Sequence, residues 1–136
     1  MPARSKARKR ALDVLFEAEL RGEPVLEILS QRAADTEPPL PAYATELVTG
    51  VQAHRQRIDE LLTDHSRWWA LERMPAVDRN ILRIGAYELL WADDIPDAVA
   101  ISEAVQLARD LSTDASPAFI NGVLARLAEL KPSLQE

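Results

Sequence analysis

Apolar residues recur every three or four positions along nearly the whole chain, and no run alternates as a half-buried strand would. That spacing predicts helices. The first covers residues 5–21, where Leu12, Leu15 and Phe16 cluster and Gly22 supplies a stop. A second begins at Pro24, a good first-turn residue, and carries Val25, Ile28 and Leu29. Residues 35–41 (DTEPPLP) are expected as a loop, since three prolines there cannot continue a helix. A long helix over 42–64 follows, with Leu47, Val51, His54, Ile58 and Leu61 as its stripe. A short turn holds Trp68, Trp69 and Leu71, and another helix starts near Pro75 with Val77, Ile81, Ile84 and Leu89 inward. Residues 92–97 turn the chain into a helix over 97–110, whose apolar face is Val99, Ile101, Val105 and Leu107. A Ser-Thr-Asp link over 112–116 leads to the last helix. Ser116 can cap it, Pro117 suits its first turn, and Ile120, Val123, Leu124, Leu127 and Leu130 line it. About seven helical segments imply an all-α bundle, read as one domain over 1–136 with a basic end at 1–10.

Composition narrows the class. A chain of 136 residues with 47% hydrophobic and 28% charged residues can bury a real core. There is no cysteine, so disulfides, thiol nucleophiles and cysteine-held metals are excluded. Asp13, Glu17 and Glu19 follow the basic start, which argues against a signal or transit peptide. No apolar run reaches the ~20 residues of a membrane helix. A soluble cytoplasmic protein without a membrane partner is expected.

Charge is distributed unevenly. Arg4, Lys6, Arg8, Lys9 and Arg10 carry five positive charges in the first ten residues, with no acid among them. The formal net charge of −6 therefore divides into a +5 end and a −11 remainder. An acidic body repels nucleic acid in general, yet a concentrated cationic end can hold one phosphate backbone. These cations also sit at the positive end of a helix dipole, each at a cost of ~0.3–1 kcal/mol before screening. Such a broken local rule is expected at a functional site. Composition alone leaves two readings open, a nucleic-acid grip and a solubilising frayed end. If all five cations meet single-stranded RNA, log affinity falls against log salt with a slope near −3.5, at about −0.7 per phosphate. Phe16 follows the cluster and suits either base stacking or the core.

Other polar features carry less chemistry. His54 and His65 are eleven residues apart, ~16 Å on one helix, too far for a shared metal. Asp93 and Asp94 read as solvated turn carboxylates. No P-loop, glycine-rich fingerprint or Ser–His–Asp pattern occurs, so neither an enzyme nor a cofactor is expected. Trp68 and Trp69 are adjacent and cannot both face inward, which leaves one for the surface or a partner. Glu88 lies beside an apolar face, while Arg79 and Arg83 can reach a carboxylate on a neighbouring helix. Asn121 and Gly122 fall inside the last helix, where Gly costs about 1 kcal/mol relative to Ala. Close helix packing and a backbone exposed for a partner both account for that pair.

Three runs carry a wider likeness: ARKRALDVLFEAEL (7–20), MPAVDRNILRIGAYELLWADDIP (74–96) and AISEAVQLARDLSTDASPAFINGVL (100–124). They resemble the NusB family of transcription antitermination factors, and the likeness covers nearly the whole chain, with 24–65 least distinctive. The resemblance implies two small packed helical bundles and no enzymatic activity. It implies binding to boxA, a short single-stranded element of ribosomal RNA leaders, together with the ribosomal protein NusE, within an RNA polymerase antitermination complex. Arg4, Arg8 and Arg10 match the family's basic RNA-contacting end, with Lys6 and Lys9 beside them. Phe16 matches an aromatic position there, with Phe where a Tyr hydroxyl can occur, and Phe119 is a weaker match to the same surface. Asp78 matches an acidic position on the NusE side, and Glu72 matches more loosely. Some NusB-like proteins self-associate through the RNA-facing surface, so a homodimer that hides the site is a further expectation. Two rivals are a NusB-like RNA-binding module serving an RNA cytosine methyltransferase and a helical adaptor that binds protein alone.

Overall fold

The computed structural model describes residues 2–35, 39–66 and 69–134. Residues 36–38 of the expected loop, and Trp68, lie outside the described residues. Among those described, the chain forms seven α-helices and one short 3-10 helix. It divides into two compact units, 1–53 and 54–136.

The first unit holds α1 (Ala3–Arg21), α2 (Val25–Asp35) and α3 (Ala42–Ala53). All three pack on one another. Their core is Ala7, Ala11, Leu12, Val14, Leu15 and Ala18 of α1 with Ile28, Leu29, Leu47, Val48 and Val51. Gly22 ends α1 at φ 64°, a left-handed conformation that costs glycine little. The Gly22 and Glu23 amides donate back to the Glu19 and Ala18 carbonyls at 3.2 and 3.0 Å, a Schellman closure that satisfies the helix end.

The second unit holds α4 (Arg55–His65), the 3-10 helix Leu71–Arg73, α5 (Ala76–Trp91), α6 (Asp97–Leu111) and α7 (Ser116–Leu134). Packed by α4, α6 and α7, α5 is its centre. From Asn80 to Leu90 every residue of α5 except Tyr87 is buried, as a helix enclosed on all sides requires. Gly85 makes room for α7, since a Cβ there would lie 2.7 Å from Leu124 Cδ1. Arg83 supplies the ion pair to a neighbouring helix expected of it, as its Nε and Nη2 donate to the half-buried Asp59 of α4 at 2.9 and 3.1 Å. Arg79 donates to the Leu71 and Met74 carbonyls, at 2.8 and 2.9 Å, and holds the 3-10 segment.

Four expectations need correction. The helix expected over 42–64 is interrupted at His54 (φ −109°, ψ 14°), whose ring stacks on Trp91 at 4.1 Å instead of continuing the stripe. The buried face of α6 is Ala100, Ala104, Leu107 and Ala108, while Val99 is 41% exposed. Small side chains let helices approach closely, so alanines took the contact that the larger residues were expected to make. Close packing occurs at Gly85, whereas Gly122 has open space where its Cβ would be. Ser116 does not cap α7 through its own hydroxyl, which donates to Asp78 at 2.7 Å.

Candidate RNA-binding surfaces

α1 starts without electrostatic support. Pro2 precedes it with no side-chain cap, and its first turn carries no acid. Arg4, Lys6 and Lys9 are exposed and Arg10 is half-buried. Lys9 makes only a loose pair with Asp13, 3.5 Å away. Arg8 departs from the group, being 3% exposed. Its guanidinium lies 5.8 Å from the centre of the Tyr43 ring on α3, and that of Arg4 lies 4.7 Å from the same ring. Tyr43 is therefore a platform for the basic end that sequence reasoning missed. Nothing in the local pattern places a first-turn residue of α3 beside Arg4.

Phe16 is half-buried further along α1. Next to it, Glu17 accepts from Arg32 of α2 at 2.7 Å and from Arg21 at 2.8 Å. The bonds from Arg32, and then Arg21, hold the Glu17 carboxyl at about 2, well below its usual range. Arg21 is itself raised, chiefly by its bond to Glu17. This cluster ties α1 to α2 and consumes the positive charge near Phe16. Cations facing solvent are thus concentrated at the tip of α1.

Phe119 belongs to the second unit, in the first turns of α7. It is half-buried, and Trp69 meets it edge-on, with centroids 5.3 Å apart at 83°. Phe119 lines a groove of about 690 Å³ together with Asp64, His65, Gly122, Val123 and Arg126. An aromatic face beside an exposed Arg126 suits a nucleotide chemically, since bases stack and guanidinium groups meet phosphate. The open side of Gly122 faces this groove, so the sequence oddity at Asn121–Gly122 marks exposed backbone.

The two acidic candidates diverge. Glu72 is exposed on the 3-10 helix. Asp78 is 0% exposed, so the partner-side contact that the resemblance implied is unavailable to its side chain in this structure. Ser112 and Ser116 donate to its two carboxylate oxygens, and Thr113 bonds in turn with Ser116 at 2.7 Å. A carboxylate at the first turn of α5 is favoured by the helix dipole, and two hydroxyl donors complete its desolvated shell.

The NusB family model matches residues 5–129. A relative from Thermobifida fusca (strain YX), named transcription antitermination protein NusB, is 61% identical over 132 residues, covering 97% of this chain and 93% of that one. The solved structure of T. maritima NusB superposes with a TM-score of 0.84 at 33% identity, covering 98% of this chain and 96% of that one. A crystal structure of antitermination factors NusB and NusE in complex with dsRNA matches with a TM-score of 0.76 at 27% identity, covering 93% and 96%.

Proposed function

The chain belongs to the NusB family, and from that premise we propose that it is a transcription antitermination factor that binds RNA together with NusE. The observation that carries the reading is the start of α1, where Arg4, Lys6, Lys9 and Arg10 reach solvent with no acid in the first turn. An anionic backbone laid there relieves the clash between these cations and the helix dipole. The preferred ligand is the single-stranded boxA element of ribosomal RNA leaders, for whose unpaired bases Phe16 in the first unit and Phe119 in the second are each a stacking candidate. Arg8, held against Tyr43, orients the tip more than it meets phosphate. Glu72 offers an exposed carboxylate to a basic ribosomal protein such as NusE. The work is cytoplasmic, alongside RNA polymerase on ribosomal RNA operons, and calls for no catalytic group.

Fluorescence anisotropy with labelled boxA-like RNA, with and without NusE, tests the reading. Weak binding by this chain alone and cooperative tightening by NusE are expected. An unlabelled duplex of the same sequence, included as competitor, should displace the probe poorly. No binding with or without NusE would refute the assignment.

A further inference from the structure

We infer that Asp78 is a positioning residue that fixes the first turn of α7, and Phe119 with it, for RNA; the inference rests on the function proposed above. Its charge invites reading it as a docking acid, yet its carboxylate is wholly enclosed. The carboxylate stands on the first turn of α5. Ser112, which donates to one of its oxygens, is the residue that closes α6. Ser116, which donates to the other at 2.7 Å, opens α7. One acid thus holds both ends of the link between α6 and α7. Ser112 and Ser116 also lie 3.1 Å apart through their hydroxyls, and the Ser116 amide donates to the Thr113 carbonyl at 3.1 Å.

Phe119 stands three residues beyond Ser116, a position that turns with the same helical turn. Its ring also meets Trp69 edge-on. Below the first turn the packing is tight, where Gly85 admits Leu124, but the outer face at Gly122 is open. Rotation of this first turn is resisted by the hydroxyl pair on Asp78 together with the buried side chain of Ile120. A second groove, of about 530 Å³, runs along the other flank of the turn past Arg109, Thr113, Asp114 and Asn121. The carboxylate lies behind a segment that has open surface on both sides, where a small change in set is transmitted to the half-buried Phe119 ring. Each hydroxyl donates to its own carboxylate oxygen. Asn would keep one such acceptor and present an NH2 donor to the other serine, so one of the two bonds would have to reverse.

The test pairs geometry with binding. The chain has only two phenylalanines, so ¹³C-Phe labelling gives separate ring signals for Phe16 and Phe119. Asp78→Asn is expected to move the Phe119 signals and leave those of Phe16 in place. It should weaken boxA-like RNA binding about tenfold in the native background, and by less than about twofold when Phe119→Ala is already present, since residues acting as a unit are not additive. Ser116→Ala, which leaves the carboxylate in place, should act in the same direction and serves if Asp78→Asn fails to fold. Unmoved Phe119 signals would overturn the inference whatever the RNA result. An equal loss of affinity with and without Phe119 would overturn it too. If the unsubstituted chain bound no RNA, the proposed function would fall, while the Phe119 signals would still decide the geometry.

Discussion

At the first turn of α1 stand Arg4 and Lys6, with Lys9 and Arg10 just beyond, and that turn carries neither an acid nor a side-chain cap. At the first turn of α7 stands Ser116, backed by the buried carboxylate of Asp78 and braced by Ser112 and Thr113. At the start of α7 the buried acid finds its hydroxyl donors within the protein. The start of α1 presents four cations to solvent with no acid in its first turn. The difference teaches where to look for an anionic ligand, because internal networks that are complete have little affinity left to give. It also separates the acidic residues by role. Asp78 is consumed by the fold, and Glu72 remains on the surface.

The largest expected effect breaks the α1 side of this contrast. Replacing Arg4, Lys6, Lys9 and Arg10 together by Ala should weaken RNA binding by at least about a hundredfold at low salt. The melting temperature should hold or rise, because four charges opposed to the helix dipole are gone. Calorimetry beside the binding titration reads both. A fall in both together would mean that the cations are structural.

Arg8→Ala sharpens the same side. Its guanidinium is buried against Tyr43, so truncation should cost about 1–2 kcal/mol of stability in urea unfolding. Arg10→Ala should cost little. Equal midpoints for the two variants would return Arg8 to the exposed group.

The α7 side is sharpened by two glycines. Gly85→Ala drives a methyl against Leu124, and overpacking outweighs the gain in helix propensity, for a net loss of about 1 kcal/mol. Gly122→Ala meets nothing and should stabilise by about 0.5–1 kcal/mol. Opposite signs in the two unfolding midpoints would bear this out.

The smallest effect concerns acid. Glu17 has its folded pKa lowered from 4.5 to about 2 by Arg32 and Arg21. Between those values the unfolded chain binds the extra proton, so the contribution is complete above pH 4.5 and is lost as pH falls towards 2. After solvent screening it amounts to about 1 kcal/mol. Glu17→Gln should flatten that part of the stability–pH curve, and an unchanged curve would place the acid sensitivity elsewhere.

Much of the fold was legible in the sequence because helix signals are local. Gly22, Pro24, Pro75 and Pro117 punctuate the chain where propensity says they should, and the stripes through Leu12–Leu15 and Ile81–Ile84 are indeed buried. What failed depended on partners distant in sequence. The alanine face of α6 was chosen by close approach, not by hydrophobicity. His54 lies on an apolar stripe, yet it stacks on Trp91 of α5 where two helices separate. The candidate site was legible in its charge, since five cations without an acid need no structure to be noticed. The division of labour within it was not legible. Burial of Arg8 depends on Tyr43, and burial of Asp78 depends on hydroxyls in a link that reads, by composition, as a solvated loop.

The most direct test of the α1 account is the salt dependence of RNA binding. Four cations reaching solvent, in place of the five counted in sequence, predict a slope of log affinity against log salt near −2.8 for single-stranded RNA, at about −0.7 per phosphate. The fourfold alanine variant should lose most of that slope. A flat response in the unsubstituted chain, or an undiminished slope in the variant, would contradict the claim that the tip of α1 grips the RNA backbone.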